Sequence, residues 1–445
     1  MEPVWVEVDG QPHVWLRDRL SLGKGSLLVP APLAPLLGAM DGTRDCAAVA
    51  REYTLRTGIV VPPATLDELV EALDEALLLE GPRVRRALDG ALTAYRGQPW
   101  RHPALAPQSY PDDPGTLERL LDGFLAGQVH QPAWVVRGHG AERGNGAVPA
   151  VAPMAAIQRA AGVLSPHIDY ARGGLLYART WEAALPAVES AEVVVIFGTD
   201  HAGGAGQLTP TVQRYATPWG PLPTDLNAVE ALATAVGREL AFAEELHHRG
   251  EHSIELAAVW LHWALRRAGR RDDLPPVVAI LCGSFHPYVQ CAQAGEPAAG
   301  PRHEACSPST PEEPPHGAAM AALAEVIGTR RALVVAAADL AHVGPAFGDP
   351  LGLSQGAKEA LAACDARILA PVLQGDGEAF LAALRAVQDR YRVCGLPPIY
   401  WSLHLLHTLR GGPVPGRLTG YAQCPADATA GSVVSIAGAL WEAPA

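Results

Sequence analysis

Residues 162–170 read GVLSPHIDY, an apolar run that ends at a proline and is followed by a histidine. A short apolar run of this kind predicts a buried β-strand, and His167 comes where that strand ends. Two further stretches have the same order: VVVIFGTDH (193–201), which ends in His201, and LVVAAADLAH (333–342), which ends in His342. In an open α/β sheet, ligands bind beyond the carboxyl ends of the strands. The three stretches therefore predict one metal or proton-transfer site.

The bulk properties narrow the class of protein. A chain of 445 residues predicts two domains, and 49% hydrophobic with 18% charged residues is typical of globular proteins. A formal net charge of −13 argues against a nucleic-acid partner, which would require clustered Lys and Arg. No apolar run is long enough to predict a membrane helix. The amino terminus has no signal-peptide pattern, and seven scattered cysteines form no disulfide framework, so a cytoplasmic location is expected.

Residues 1–90 are predicted to form a small winged-helix-like accessory module. Short strands precede a helix and the turn LLGAMDGTR (36–44), and residues 66–77 have the periodicity of an amphipathic helix. The order resembles small peptide-binding winged-helix domains of peptide-modifying systems. The last helix is strongly acidic, which makes duplex DNA a poor partner. Two roles stay open for this module: docking of a peptide or protein, or a structural cap.

Residues 91–150 are predicted to be a linker and lead-in segment, with flexible turns at 137–151. Residues 151–445 alternate strands and helices, which predicts an α/β domain with a mainly parallel sheet flanked by helices. The stretch 293–316 is rich in Pro, Glu, Ala and Ser, and we expect a mobile insertion there.

His167 and His201 are candidate metal ligands, because neutral imidazole binds iron, copper and zinc well. Cys394 lies in a turn immediately before a predicted helix, where the helix amino terminus favours the thiolate that ligates metal. Taken singly, a lone histidine or cysteine of this kind is more often structural than functional.

Beyond these local patterns, the chain from about 101 to 441 resembles the Memo family, known in bacteria as AmmeMemoRadiSam system protein B. The matching stretches occur in the family's order: SPHIDYARGG (165–174), IFGTDHAGG (196–204), EHSIEL (251–256), AADLAHVG (337–344) and CGLPPI (394–399). The resemblance implies the fold of the class III extradiol dioxygenases, which are non-haem iron enzymes that cleave catechol rings.

The resemblance implies roles for particular residues. His167, His201 and Cys394 become the metal ligands, and His342 becomes the acid/base histidine with Asp339 beside it. A cysteine stands where the dioxygenases have a glutamate, and this softer donor set suits copper as well as iron (Fe²⁺). Iron- or copper-dependent redox chemistry and metal binding without turnover therefore both stay open, whereas ring cleavage is placed in doubt.

Other polar residues have two readings. Asp169 either orients an imidazole or occupies a solvated turn, and Glu251 and His252 either line the site or cap a helix. The adjacent His247 and His248 cannot both face one site and are interpreted as structural. No zinc site is expected at Cys282, Cys291, His303 and Cys306, because the sequence has no paired CxxC motif.

Two functions from different classes remain. The first is a metal-dependent oxidoreductase in which His342 moves protons. The second is a non-catalytic component that binds a peptide or small molecule, with the amino-terminal module docking a modifying enzyme. The family's bacterial name implies radical-SAM and AMMECR-type partner proteins.

Overall fold

The computed structural model describes residues 2–23, 25–128, 160–289 and 314–442, which form two compact units. The predicted flexible segment at 137–151 lies outside the described residues, as does the predicted insertion except for its last three positions. No helix in the described ranges is long and apolar enough to cross a membrane.

The first unit, Met1–Gly97, joins a small antiparallel sheet to helices. Its elements are β1 (Glu2–Val8), β2 (Gln11–Arg17), β3 (Leu27–Pro30), α1 (Ala34–Ala39), α2 (Cys46–Thr57), α3 (Pro63–Glu75) and α4 (Pro82–Arg96). The central strand β2 pairs with both neighbours, and Leu36, Tyr53 and Leu66 are buried between the helices. Helix α4 continues past residue 90, where the predicted module ends, and this compact unit extends to residue 97.

The second unit begins at Gln98. Its strands are β4 (Ala160–Ser165), β5 (Val193–Thr199), β6 (Leu208–Pro210), β7 (Ala216–Thr217), β8 (Gly220–Pro221), β9 (Val277–Cys282), β10 (Ala332–Ala337), β11 (His342–Val343), β12 (Gly416–Pro425) and β13 (Val433–Glu442). Its helices are α5 (Pro114–Leu125), α6 (Tyr170–Ala183), α7 (Leu185–Ser190), α8 (Leu226–Val236), α9 (Arg238–Ala241), α10 (Ser253–Arg267), α11 (His286–Val289), α12 (Gly317–Ile327), α13 (Gln355–Gln374), α14 (Gly377–Ala386) and α15 (Leu396–Arg410).

A mixed sheet of eight strands organises the second unit, in the order β11-β13-β4-β10-β5-β9-β6 with β12 also paired to β13. The four central strands, β4, β10, β5 and β9, are parallel, and β13 and β6 flank them in antiparallel pairing. The two outermost partners of β13, β11 and β12, pair with it antiparallel. The predicted α/β class with helices flanking a sheet of parallel central strands is confirmed.

Both faces of the sheet are buried, which explains the uninterrupted apolar strand runs in the sequence. In β5, Val193, Val195 and Phe197 pack into one hydrophobic layer, and Val194 with Ile196 packs into the other. Helices α8, α12 and α15 belong to the first layer, and α5, α6 and α10 belong to the second. The result is a three-layer arrangement that leaves the strand ends as the open edge.

The chain enters a helix directly after β4. Helix α6 begins at Tyr170 and is followed by the separate α7. Asp169 caps α6 by accepting a hydrogen bond from Arg172 N, which starts the helix directly after the strand exit. Pro186 lies in the first turn of α7, where its missing N–H costs no helical bond.

Candidate metal centre

The register of the parallel strands aligns three polar residues that follow the strand ends. Ala337 of β10 is paired with Ser165 of β4 and with Gly198 of β5. Counting two residues onward in each strand reaches Asp339, His167 and Asp200. The carboxyl ends of these neighbouring strands therefore deliver polar groups at one level of the same sheet edge.

Three imidazoles meet at this edge. One ligand atom from each of His167, His201 and His252 lies within 4.8 Å of the others, among the residues that the structure describes. The ring centroids are 5.3 Å apart for His167 and His201, 5.5 Å for His167 and His252, and 4.9 Å for His201 and His252. His252, which sequence reasoning placed around the ligands, is thus positioned like a ligand itself.

Each of these rings is oriented through Nδ1. His167 Nδ1 lies 2.9 Å from the carbonyl oxygen of Ala337, and Nδ1 of both His201 and His252 contacts the Glu251 carboxylate, at 3.1 and 3.0 Å. A carbonyl oxygen and an ionised carboxylate only accept hydrogen bonds, so each Nδ1 carries the proton. In the neutral form of each ring, Nε2 therefore keeps its lone pair, which is the state required for binding a metal.

Glu251 holds two of the rings from the start of α10. Its carboxylate also accepts hydrogen bonds from the backbone N–H groups of His201, His252 and Ser253. Burial acts to raise the pKa of the Glu251 carboxyl, but the hydrogen bonds from His201 and His252 outweigh it and hold the pKa well below its usual value. Glu251 is consequently an anion that orients imidazoles and adds negative charge to the site.

Close packing brings α10 to the end of β5. A Cβ on Gly198 would lie 2.5 Å from a side-chain carbon of Ile254 and 2.6 Å from the hydroxyl of Ser253, so only glycine fits there. The Ser253 hydroxyl donates to the carbonyl oxygen of Thr199. These contacts fix the distance between His201 and the Glu251–His252 pair.

Cys394 joins the cluster from the turn before α15. Its Sγ lies 3.2 Å from Nε2 of His167, and its carbonyl oxygen accepts a hydrogen bond from the Thr199 hydroxyl. Burial, reinforced by the Asp339 carboxylate, raises the pKa of the Cys394 thiol well above its usual value. The expectation that the helix start favours the thiolate is therefore outweighed, because burial and nearby carboxylates oppose a second negative charge.

Burial has the opposite consequence for His167. It lowers the pKa of His167 well below the ordinary value, and the neighbouring imidazoles of His201 and His252 act in the same direction. The ring is neutral near pH 7. At His252 burial also acts to lower the pKa, but the hydrogen bond to Glu251 outweighs it and the pKa is raised. A bound cation therefore competes with a proton at His252 but not at His167.

Asp339 and His342 lie beside the cluster. The Asp339 carboxylate accepts hydrogen bonds from the N–H groups of His167 and Ile168, and its second oxygen is 3.7 Å from Nε2 of His167. Nδ1 of His342 lies 3.1 Å from the carbonyl oxygen of Leu340. Burial lowers the pKa of His342 to about 4, so its ring is a neutral proton acceptor near pH 7.

The remaining candidates have other surroundings. Besides capping α6, the Asp169 carboxylate pairs with Arg172 at 2.5 Å, so its hydrogen bonds go to a helix start. His248 is buried with Tyr215 and Thr209, whereas the neighbouring His247 contacts Asp200. Cys282 is buried at the end of β9, and Cys291, His303 and Cys306 lie outside the described residues.

One group of side chains escaped the sequence analysis. Asp200, Glu244 and His247 also offer ligand atoms that all lie within 4.8 Å of one another. The strand-end position of Asp200, next to His201, was a usable signal for that residue. Glu244 is in a loop with no recognisable motif, and its proximity follows only from the tertiary structure.

Fold and site together define an α/β protein that gathers histidines and a cysteine at the carboxyl ends of parallel strands. The family described as Memo-like protein matches residues 101–280 and 312–440, which is more than half of the chain. The chain belongs to the Memo-like family, and the resemblance drawn from its motifs is confirmed.

Individual relatives are distant. The chain is 28% identical to a MEMO1 family protein of Thermus thermophilus over 383 residues, which cover 85% of this chain and 95% of the relative. It is 24% identical to one of Aquifex aeolicus over 248 residues (56% of this chain, 58% of the relative), and 28% identical to one of Methanopyrus kandleri over 199 residues (44% and 60%). The match thus spans less than two thirds of the length of the latter two relatives.

Proposed function

We propose that this chain is a non-haem metal-binding protein with iron- or copper-dependent redox activity. His167, His201 and Cys394 would hold the metal, and His252 would supply a further imidazole. Iron fits a neutral, nitrogen-rich donor set, and the thiol makes copper the alternative. When bound, either metal would supply one-electron redox chemistry and a site for oxygen.

The observation that carries the proposal is the orientation of the three rings. A histidine that only packs in the core needs a hydrogen bond at one ring nitrogen. Nothing in that role would bring its second nitrogen close to those of other histidines. Here three rings are each held at Nδ1, two of them by the carboxylate of Glu251, and converge elsewhere. A carboxylate behind a ligating histidine is the arrangement commonly found around protein metal sites.

The surrounding residues would support proton movement. His342 is neutral near pH 7 and can accept a proton, which suits an acid/base role. Asp339 holds the backbone that carries His167 and adds negative charge beside the ligands. Glu251 keeps two rings in the tautomer that exposes Nε2.

Metal content tests the proposal. Protein purified without oxygen and reconstituted with Fe²⁺ or Cu⁺ is expected to hold one equivalent, and His167→Ala and Cys394→Ser should each reduce it strongly. His404→Ala is a matched control, because His404 pairs with Glu378 away from this cluster. Folded wild-type protein that retains neither metal would reject the proposal. If the wild-type protein does hold metal, metal-dependent oxygen uptake in the presence of a reductant would distinguish catalytic turnover from metal binding alone.

A second candidate function is a partner-binding component of a radical-SAM-associated modification system. The observation that favours it is the apolar surface of the first unit. Its exposed large side chains are Trp5, Leu28, Leu55, Ile59 and Val60, of which Leu55 is 86% and Val60 76% exposed. Contiguous exposed apolar side chains mark docking surfaces, and Leu55, Ile59 and Val60 fall within one six-residue stretch.

Binding measurements on the full chain test this second candidate. Purified radical-SAM and AMMECR-type proteins of the same organism would be titrated into the wild-type chain. Leu55→Ser should weaken association by about tenfold or more, as expected for an interface anchor. Leu351→Ser is the control, since Leu351 is also highly exposed, at 78%, but belongs to the second unit. Absence of binding by the wild type would reject this candidate.

A further inference from the structure

A second group of potential ligands lies next to the imidazole cluster and shares no residue with it. Asp200 follows β5 and directly precedes His201, whereas Glu244 and His247 come from the connection between α9 and α10. The consecutive side chains of Asp200 and His201 have different partners, His247 for the first and Glu251 for the second. The turn after β5 therefore contributes one side chain to the imidazole cluster and one to the second group of ligands.

Both carboxylates are held by the backbone of this turn. Asp200 Oδ1 accepts the N–H of Ala202 at 3.0 Å, and the Glu244 carboxylate accepts the N–H of Gly204 at 3.0 Å. A Cβ on Gly203 would lie 2.6 Å from Oδ2 of Asp200, so the turn closes on that carboxylate only because glycine is there. A carboxylate accepts several hydrogen bonds, so lone pairs remain on each for another ligand.

The charge of the group is unbalanced. Asp200 is 3% exposed and Glu244 is partly buried, and neither forms an ion pair with Arg or Lys among the described residues. Asp200 pairs with the ring of His247, whose Nδ1 is 2.8 Å from Oδ2 of Asp200. Buried carboxylates are normally paired with cations or coordinate metal ions. Two carboxylates beside a single imidazole carry negative charge that one singly charged ring does not balance. A divalent cation would balance it.

We propose that Asp200, Glu244 and His247 bind a divalent cation of the manganese or zinc class. Mixed carboxylate and imidazole ligands suit Mn²⁺ and Zn²⁺, whereas the thiol and imidazoles of the first site favour softer ions. Each residue supplies one ligand atom and water completes the coordination. The side chain of His247 is 12% exposed, so solvent and ions reach the group. This site does not depend on the redox function proposed above.

The cation would also brace the first site. Its ligands would link the turn at residues 200–204, which carries His201, to the connection before α10. Removing the second cation should therefore loosen His201 without removing any ligand of the first site.

Mn²⁺ binding measured by electron paramagnetic resonance tests the proposal. The full chain would carry His167→Ala and His252→Ala so that the imidazole cluster no longer contributes. One equivalent of Mn²⁺ should bind, with Zn²⁺ competing, and Asp200→Asn and Glu244→Gln should each weaken binding by roughly tenfold or more. Glu378→Gln is the matched control, because Glu378 also pairs with a histidine, His404, but has no third ligand within the part of the chain that the structure describes.

The outcome separates the two sites. Circular dichroism would verify that each variant is folded. Absence of Mn²⁺ and Zn²⁺ binding in the folded double variant, or binding unchanged by both Asp200→Asn and Glu244→Gln, would overturn the proposal. A Co²⁺–thiolate absorption band that survives Asp200→Asn but disappears in Cys394→Ser would show that the first site fills independently.

Discussion

Sγ of Cys394 lies 3.2 Å from Nε2 of His167, although 227 positions separate the two residues in the chain. The turn that carries Cys394 rests on the exit of β10, where Gly395 N donates to the carbonyl oxygen of Asp339 at 3.0 Å. Thr199 holds the same turn from β5. The thiol is thus placed by backbone contacts with two strand ends, independently of any metal.

Replacing Gly395 with alanine should displace the thiol. A Cβ at this position would lie 2.3 Å from the carbonyl oxygen of Asp339, a contact that forces the turn away from β10. We expect Gly395→Ala to lose the near-ultraviolet Co²⁺–thiolate band while far-ultraviolet circular dichroism stays unchanged. Gly356→Ala should keep the band, because a Cβ at Gly356 meets nothing within 4 Å. An unaltered band in Gly395→Ala would contradict the packing argument.

Neutralising Glu251 should weaken metal binding. Glutamine has a single acceptor oxygen and an N–H₂ group that clashes with the second Nδ1–H donor, so His201 and His252 cannot both keep their orientation. We expect Glu251→Gln to lower metal affinity about 10- to 100-fold in chelator competition. Glu325→Gln changes an exposed carboxylate in the same way and should have no effect. Equal affinities for the two variants would mean that Glu251 does not orient the ligands.

Acid should destabilise the second unit through buried histidines. Burial lowers the pKa of His248, His262 and His342 to about 4 in the folded chain, against about 6.5 when unfolded. The unfolded chain therefore binds more protons below about pH 6.5, so their contribution is intact above that pH and is lost as the pH falls toward about 4. Each histidine changes the free energy of unfolding by up to about 1.4 kcal/mol per pH unit.

Urea denaturation across this pH window measures the effect. His248→Gln should show a smaller fall in the free energy of unfolding than the wild type, whatever its stability at neutral pH. Asp365 and Asp389, whose pKa values burial raises to about 6, act in the opposite direction but equally in both proteins. His407→Gln alters an exposed histidine and should follow the wild type. The same slope in His248→Gln and wild type would refute the assignment.

Removing Arg101 should cost much stability. Its guanidinium is fully buried against the Glu255 carboxylate and also donates to the carbonyl oxygens of His248 and Glu251. Arg101→Ala leaves a buried charge without its partner, so we expect a loss of about 3–5 kcal/mol in urea denaturation. Arg331→Ala breaks an exposed pair with Glu192 and should cost less than about 1 kcal/mol. Similar losses in both variants would argue against burial as the cause.

The strand-end histidines were predictable because their signal is local. An apolar run that ends at a polar residue predicts where a buried strand stops, and parallel strands bring such ends together. His167, His201 and His342 could be assigned to one edge in this way, and Cys394 was a candidate from its place before a predicted helix. Family motifs added Asp339, Glu251 and His252, but they did not specify what these side chains contact.

The sequence by itself determined the α/β class, the order of strands and helices, and the edge at which polar groups collect. Only the tertiary structure decided that His252 stands among the imidazoles, that Asp169 caps a helix, and that burial keeps the Cys394 thiol protonated in the absence of metal. It alone brought Glu244 and His247 to Asp200. The physical reason is that hydrophobic periodicity acts over a few residues, whereas ligand geometry and pKa depend on groups that packing brings together from distant segments.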